Sequence, residues 1–128
     1  MKLLSDTHTF IWSFSNIKKL SPTVAHELQN PANEVFVSVA SIWEMQIKTK
    51  LGKMIFNDTV ENIIIEQQQI NRIQILPVHL AHALYLENLP LHHKDPFDRL
   101  LISQVTVENM TLVSADTNFA KYQVNLLW

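Results

Sequence analysis

Four of the twelve acidic residues stand where an ordinary solvated carboxylate would not. Asp6 directly follows Leu3-Leu4-Ser5, and Asp116 follows Thr111-Leu112-Val113-Ser114, so each sits at the C-terminal end of an apolar segment that reads as a strand. On helices, Glu44 shares a face with Ala40, Ile47 and Leu51, and Asp98 with Leu101, Ile102 and Val105. A carboxylate on a core-facing stripe costs several kcal/mol unless it is paired or bound to a cation. Each acid also has a purely structural reading. Asp6 and Asp116 suit helix N-caps, a role compatible with metal binding, and Glu44 or Asp98 could form a buried ion pair with Lys48 or Arg99. Asp95 precedes Pro96 and suits the N-cap of the helix that Pro96 opens. Glu27, Glu34, Asp58, Glu61, Glu66, Glu87 and Glu108 fall on presumed solvent faces or in turns and need no special account.

Brought together, Asp6, Glu44, Asp98 and Asp116 would repel one another and raise one another's pKa values. A hard divalent cation removes that conflict. Mg²⁺ and Mn²⁺ prefer oxygen ligands, and at such a site they can activate a water and neutralise charge on a phosphate. Composition narrows the alternatives. The single glycine, Gly52, excludes a phosphate-cradling loop, a dinucleotide fingerprint and a nucleophile elbow. The absence of cysteine excludes disulfides, thiolate zinc sites and a cysteine nucleophile. A net charge of −2 is unusual for a nucleic-acid binder, unless the acids that lower it are themselves the active site. Phosphodiester hydrolysis fits these residues better than nucleotide binding.

The elements that must position the acids alternate strand and helix. Strands are expected at Lys2–Ser5, Val35–Val39, Ile73–Leu76, Met110–Ser114 and Val124–Leu127. Helices are expected over Thr7–Phe14, from Ser21-Pro22 to Asn30, over Ser41–Leu51 with Gly52 as C-terminal cap, and over Thr59–Ile70. Further helices are expected over Val78–Asn88, from Pro96 to about Asn109, and over Asp116–Tyr122, with a Pro- and His-rich loop at Leu89–Asp95. This order predicts an α/β protein with a mainly parallel sheet covered by helices on both faces. Ligands of such sheets bind beyond the carboxyl ends of the strands, where Asp6 and Asp116 lie. The 128 residues, 47% of them hydrophobic, suit one domain over residues 1–128 with a real core. No apolar run reaches the roughly 18 residues of a membrane span, and the start does not read as a signal peptide, so a cytoplasmic protein is expected.

Arg99 and Lys94 flank the acids and could contact phosphate, the alternatives being an Arg99–Asp95 ion pair or plain solvation. Lys48, Lys50 and Lys53 read as a solvated helix end before a basic rim. His79 and His82, three apart, lack a third ligand and read as packing. His92 and His93 are read as shaping their loop, with proton transfer as the alternative. Trp12, Trp43 and Trp128 read as core or dimer-interface residues before base-stacking platforms.

Five segments in order then carry a family resemblance. They are Leu3-Leu4-Ser5-Asp6-Thr7-His8, then Val37-Ser38-Val39-Ala40-Ser41-Ile42-Trp43-Glu44, then Ile47-Lys48 with Leu51-Gly52-Lys53. The fourth runs from Leu89 to Ile102 and contains His92-His93-Lys94-Asp95-Pro96-Phe97-Asp98-Arg99, and the fifth is Leu112-Val113-Ser114-Ala115-Asp116 with Phe119. Together they resemble the PIN-domain ribonuclease toxins of the VapC type, from type II toxin–antitoxin systems. The resemblance implies a three-layer α/β/α sandwich and Mg²⁺- or Mn²⁺-dependent cleavage of RNA to a 5′-phosphate and a 3′-hydroxyl. It implies Asp6, Glu44, Asp98 and Asp116 as the metal-site acids, with Asp95 as a supporting residue. Ser114 stands where the family commonly has threonine and retains the hydroxyl. A homodimer and a small cognate antitoxin protein are implied as well. Two rival readings use the same topology: a non-catalytic RNA- or protein-binding module, and a receiver- or phosphatase-like domain with a phosphoaspartate. The rivals gain little from the sequence, since a pure binder has no use for clustered acids and Asp116 has no lysine beside it.

Overall fold

The computed structural model describes residues 1–128. Its strands are β1 (Lys2–Ser5), β2 (Glu34–Ser38), β3 (Gln74–Leu76), β4 (Thr111–Val113) and β5 (Asn125–Leu127). Its α-helices are α1 (Thr7–Ser15), α2 (Pro22–Gln29), α3 (Val39–Lys50), α4 (Val60–Ile70), α5 (Leu80–Tyr85) and α6 (Pro96–Val107). The strands form one sheet in the order β3-β2-β1-β4-β5, and every pairing is parallel. Because β1 is flanked by β2 and β4, the chain reverses its direction across the sheet between β1 and β4, where open α/β sheets form their ligand crevice.

Leu3 and Leu4 show how the layers form. Neighbouring strand residues point to opposite faces, and both leucines are fully buried, as a sheet covered on both sides requires. Leu4 packs with Leu101, Ile102, Val105, Leu112 and Phe119, which places α6 on one face. Leu3 packs with Leu20, Val24, Val35 and Val113 on the other. Phe10, Val37, Met45 and Val60 join α1, α3 and α4 in a further cluster against β2. The expected parallel sheet between helical layers is therefore the observed fold. No helix is long and apolar enough to cross a membrane.

Element ends differ from the sequence reading for local reasons. The second strand was expected to reach Val39, with the helix starting at Ser41. Instead the Ser38 hydroxyl accepts from the Ala40 N–H at 3.0 Å, caps α3 and starts it at Val39. The helix expected over Val78–Asn88 is one short α-helix followed by a 3₁₀ turn at Leu86–Asn88. The helix from Pro96 stops at Val107, because Asn109 takes a left-handed φ of 54° while the Met110 N–H returns to the Val105 carbonyl. The expected helix over Asp116–Tyr122 is a 3₁₀ helix over Thr117–Lys121. Gly52, at φ 73°, follows α3 as the expected terminal cap.

The register places the chemistry. Ser5 pairs with Val37 on one side and Val113 on the other, so the C-terminal ends of β1, β2 and β4 are level. The chain leaving them supplies Asp6, α3 with Glu44, and Ser114-Ala115-Asp116 to one edge. The first turn of α6 brings Asp98 to the same edge.

Candidate metal centre

Asp6 is buried and caps α1, one carboxylate oxygen accepting from the Thr9 N–H at 2.8 Å. The other accepts from the Ser114 hydroxyl at 2.5 Å. The Ser114 oxygen in turn accepts the Asp116 N–H at 3.0 Å, so one hydroxyl couples the acid after β1 to the acid after β4. Glu44 is buried too. Its Oε1 accepts from the Thr7 hydroxyl at 2.6 Å, and Ser41 Oγ lies 3.0 Å from that hydroxyl oxygen. Its Oε2 meets Lys48 Nζ at 2.5 Å, one helical turn along. The stripe that drew attention to Glu44 is only partly buried, since Leu51 at the helix end is exposed. The Lys48 ion pair expected as a structural alternative is present, and Glu44 still faces the acidic edge.

The other two acids are more open. The side chains of Asp98 and Asp116 are 22% and 37% exposed. Asp116 uses Oδ1 to cap the Thr117–Lys121 turn through the Asn118 N–H at 2.9 Å. Asp98 tops the buried stripe of Leu101, Ile102 and Val105, as the sequence pattern indicated. Its carboxyl is pushed up to about 7. Burial is the main cause, Asp95 adds to it, His93 partly offsets it, and Asp6 and Glu44 raise it further. Asp6 after β1 and Glu44 on α3 thus both lie near enough to act electrostatically on Asp98 of α6.

His93 bridges the two open acids. Its Nε2 lies 3.0 Å from Asp98 Oδ2 and 3.4 Å from Asp116 Oδ2, and the three atoms all lie within 4.8 Å of one another. Two carboxylate oxygens and an imidazole nitrogen converging in a half-buried pocket form a donor set suited to a divalent cation. The sequence reading gave His93 a loop-shaping role and left it out of the site. Its adjacency to His92 and its distance in sequence from Asp116 carried no signal of this contact. Asp95 caps α6 through the N–H groups of Phe97 and Asp98, at 2.8 Å and 3.1 Å.

Arg99 is differently placed from its expected phosphate contact. Its guanidinium turns into the loop before α6, donating to the Pro90 carbonyl at 2.9 Å and, at 3.4–3.5 Å, to the carbonyls of Leu89, Leu86 and His93. The Tyr122 hydroxyl joins this latch, accepting from the His93 N–H at 2.8 Å and lying 3.2 Å from the Pro90 carbonyl. The alternative Arg99–Asp95 ion pair does not form either. Lys94 remains exposed. His82 is fully buried, tied to the His79 N–H and to Glu108 at 3.0 Å each, so that pair is packing as expected. Trp43 is exposed and stacks edge-on against Phe97 at 5.3 Å, so it is not a core residue. A cavity of about 400 Å³ between β1, α1, α2 and α4 is lined by none of the four acids.

A family model described as the PIN domain matches residues 3–125. The chain belongs to the PIN-domain family. Solved structures agree in fold at low sequence identity. The PIN chain is similar to a chain of VapBC2 from Rickettsia felis bound to a promoter DNA fragment, with a TM-score of 0.74 and 17% identity over 99% of this chain and 98% of that one. It is also similar to a chain of DNA-bound VapBC from Salmonella typhimurium, with a TM-score of 0.69 and 14% identity over 99% and 97% of the two chains. A toxin–antitoxin complex from Klebsiella pneumoniae gives a TM-score of 0.62 and 14% identity over 98% and 96%. No curated protein sequence matches the chain. PIN domains are generally nucleases that use acidic residues to bind divalent metal, and this acidic edge has the chemistry for that role.

Proposed function

We propose that this PIN domain, spanning residues 1–128, is a Mg²⁺- or Mn²⁺-dependent endoribonuclease and the toxin of a type II toxin–antitoxin pair acting in the cytoplasm. The observation that carries the reading is the convergence of Asp6, Glu44, Asp98 and Asp116, from four elements, on the edge where this fold places its ligand crevice. Asp98 and Asp116 offer open oxygens to a cation, while Asp6 and Glu44 hold negative charge behind them in fixed orientations. A bound cation would supply an activated water and neutralise charge on the scissile phosphate.

The chain's own groups prepare that chemistry. Ser114 fixes the spacing of Asp6 and Asp116, and Thr7 and Lys48 orient Glu44, so the site needs little rearrangement when RNA arrives. The ammonium of Lys48 limits repulsion between Glu44 and the incoming phosphate. Exposed Lys94, beside the site, is free to contact the RNA backbone. No side chain is positioned as a nucleophile, so in this reading water is the attacking group, and the family resemblance implies a 5′-phosphate and a 3′-hydroxyl as the products. A cognate antitoxin protein and a second copy of the chain are the partners in this reading. The exposed apolar side chains of Trp43, Leu80, Leu84 and Leu91 are available for such contacts.

The test is cleavage of an RNA pool by purified protein freed of antitoxin, with Mg²⁺ or Mn²⁺, with EDTA, and with Asp6→Asn. Loss of cleavage with both EDTA and the substitution is expected. Cleavage that survives both would overturn the metal-nuclease reading, and Mn²⁺ binding with no turnover on any RNA would favour a binding module.

A further inference from the structure

We propose that His93 is a direct nitrogen ligand of the metal centre, making this a mixed imidazole–carboxylate site that prefers Mn²⁺ to Mg²⁺. The inference rests on the metal-centre reading above and adds a nitrogen ligand to the open carboxylates of Asp98 and Asp116. Geometry is the first argument. Adjacent ligands of an octahedral cation, each about 2.1 Å from it, lie about 3 Å from one another. His93 Nε2 stands 3.0 Å from one Asp98 oxygen and 3.4 Å from one Asp116 oxygen, close to that spacing in both cases, and the three atoms all lie within 4.8 Å of one another.

The distribution of hydrogen bonds is the second argument. Both oxygens of Asp6 and both of Glu44 accept from protein donors. Asp98 has no side-chain partner except His93, and Asp116 Oδ2 likewise meets only His93. Asp98 Oδ2 and Asp116 Oδ2, which face the imidazole, are thus less engaged by protein donors than any oxygen of Asp6 or Glu44.

The third argument is that the ring is held in place. The His93 N–H is bound by the Tyr122 hydroxyl, its carbonyl faces the Arg99 guanidinium, and its ring packs against Phe119 at 5.7 Å. Arg99 and Tyr122 are thus positioning residues for the imidazole. In the metal-free ring, Nδ1 faces the Asp95 N–H at 3.3 Å, so Nε2 carries the proton. Coordination through Nε2 transfers that proton to Nδ1 by way of solvent. The exchange costs one long hydrogen bond, that from the Asp95 N–H. An imidazole ligand favours Mn²⁺, because Mg²⁺ binds oxygen donors more selectively.

The test is pulsed electron paramagnetic resonance of the Mn²⁺-loaded full chain, alongside calorimetric titration with Mn²⁺ and Mg²⁺. The wild type is expected to show a directly bonded histidine nitrogen. His93→Ala should abolish that signal, weaken Mn²⁺ binding about tenfold to a hundredfold and leave Mg²⁺ binding less changed. His92→Ala, at an exposed neighbour, should leave the signal intact. Bound Mn²⁺ without nitrogen coupling in the wild type overturns the assignment and leaves the metal-centre reading standing. Coupling that persists in folded His93→Ala also overturns it. Failure of the wild type to bind Mn²⁺ at all overturns both. The wild-type spectrum decides the question even if the alanine variant does not fold.

Discussion

The acidic edge has two unlike halves. Asp6 and Glu44 are buried, and each carboxylate oxygen meets a protein donor. Asp98 and Asp116 are partly open, and the oxygens they turn toward each other have only His93 between them. The first half is finished by folding, with caps and hydroxyls supplying what a metal would otherwise supply. The second half is electrostatically unfinished, and Asp98 shows it by holding its proton up to about pH 7. Substitutions should therefore separate the two halves: the closed half should matter to stability and activity together, and the open half to activity against stability.

The largest effect is expected at Asp98. Asp98→Asn should lower RNA cleavage by on the order of 10²–10³-fold, as loss of one preorganised charge-stabilising group does. In the same variant the metal-free protein should be at least as stable as the wild type in urea denaturation at pH 8, because a half-buried anion becomes a neutral amide. Marked destabilisation would merge the two halves.

Asp6→Ala should behave oppositely. It removes the cap of α1 and the acceptor of the Ser114 hydroxyl, and should cost about 2–3 kcal/mol in denaturant titration as well as abolishing cleavage. Glu44→Ala, which leaves the buried Thr7 hydroxyl only Ser41 Oγ as a partner and frees Lys48 to reach water, should cost about 1–2 kcal/mol.

A pH series sharpens the contrast. The folded-state pKa of Asp98, about 7, lies above its ordinary 3.8, so the folded protein binds this proton more tightly than the unfolded chain. The contribution to metal-free stability is then complete below about pH 4 and is lost as pH rises through 7. Metal affinity runs the other way, since cation and proton compete: Mn²⁺ binding should weaken about tenfold per unit as pH falls below 7. Asp98→Asn should flatten both profiles, and an unchanged pH profile in that variant would place the titration elsewhere.

The smallest effect is expected at Arg99. Arg99→Lys loses the planar fork that gathers four loop carbonyls, and should lower stability by about 1 kcal/mol. With the guanidinium turned away from the acids, the salt dependence of RNA binding should stay as in the wild type. A slope reduced by about one phosphate contact would return Arg99 to the role its sequence position suggested.

Much of this was legible in the chain. Strand ends followed by Asp, and acids set into apolar helical stripes, marked the four carboxylates because burying an unpaired charge is expensive enough to be informative wherever it occurs. The caps at Ser21 and Asp95 are short-range and were readable from neighbouring residues. The role of Ser38 was missed, because the β-branched Val39 after it reads as a continued strand until a hydroxyl captures the Ala40 N–H. Arg99 was misdirected because adjacency to Asp98 in sequence says nothing about which side of the helix the guanidinium takes. Only the folded loop offers it the carbonyls of Leu86, Leu89, Pro90 and His93.

By itself, then, the sequence determined the alternation of strands and helices and the two-faced burial of the sheet, and it singled out the four acids as candidates. These follow from periodicity, turn chemistry and desolvation, all of which act over a few residues. Only the tertiary structure decided which carboxylate oxygens are already occupied, which remain open, and that His93 stands between Asp98 and Asp116. Those contacts join residues up to 108 positions apart, as Ser114 and Asp6 are. Their distances are set by strand register and helix packing, which no local pattern encodes.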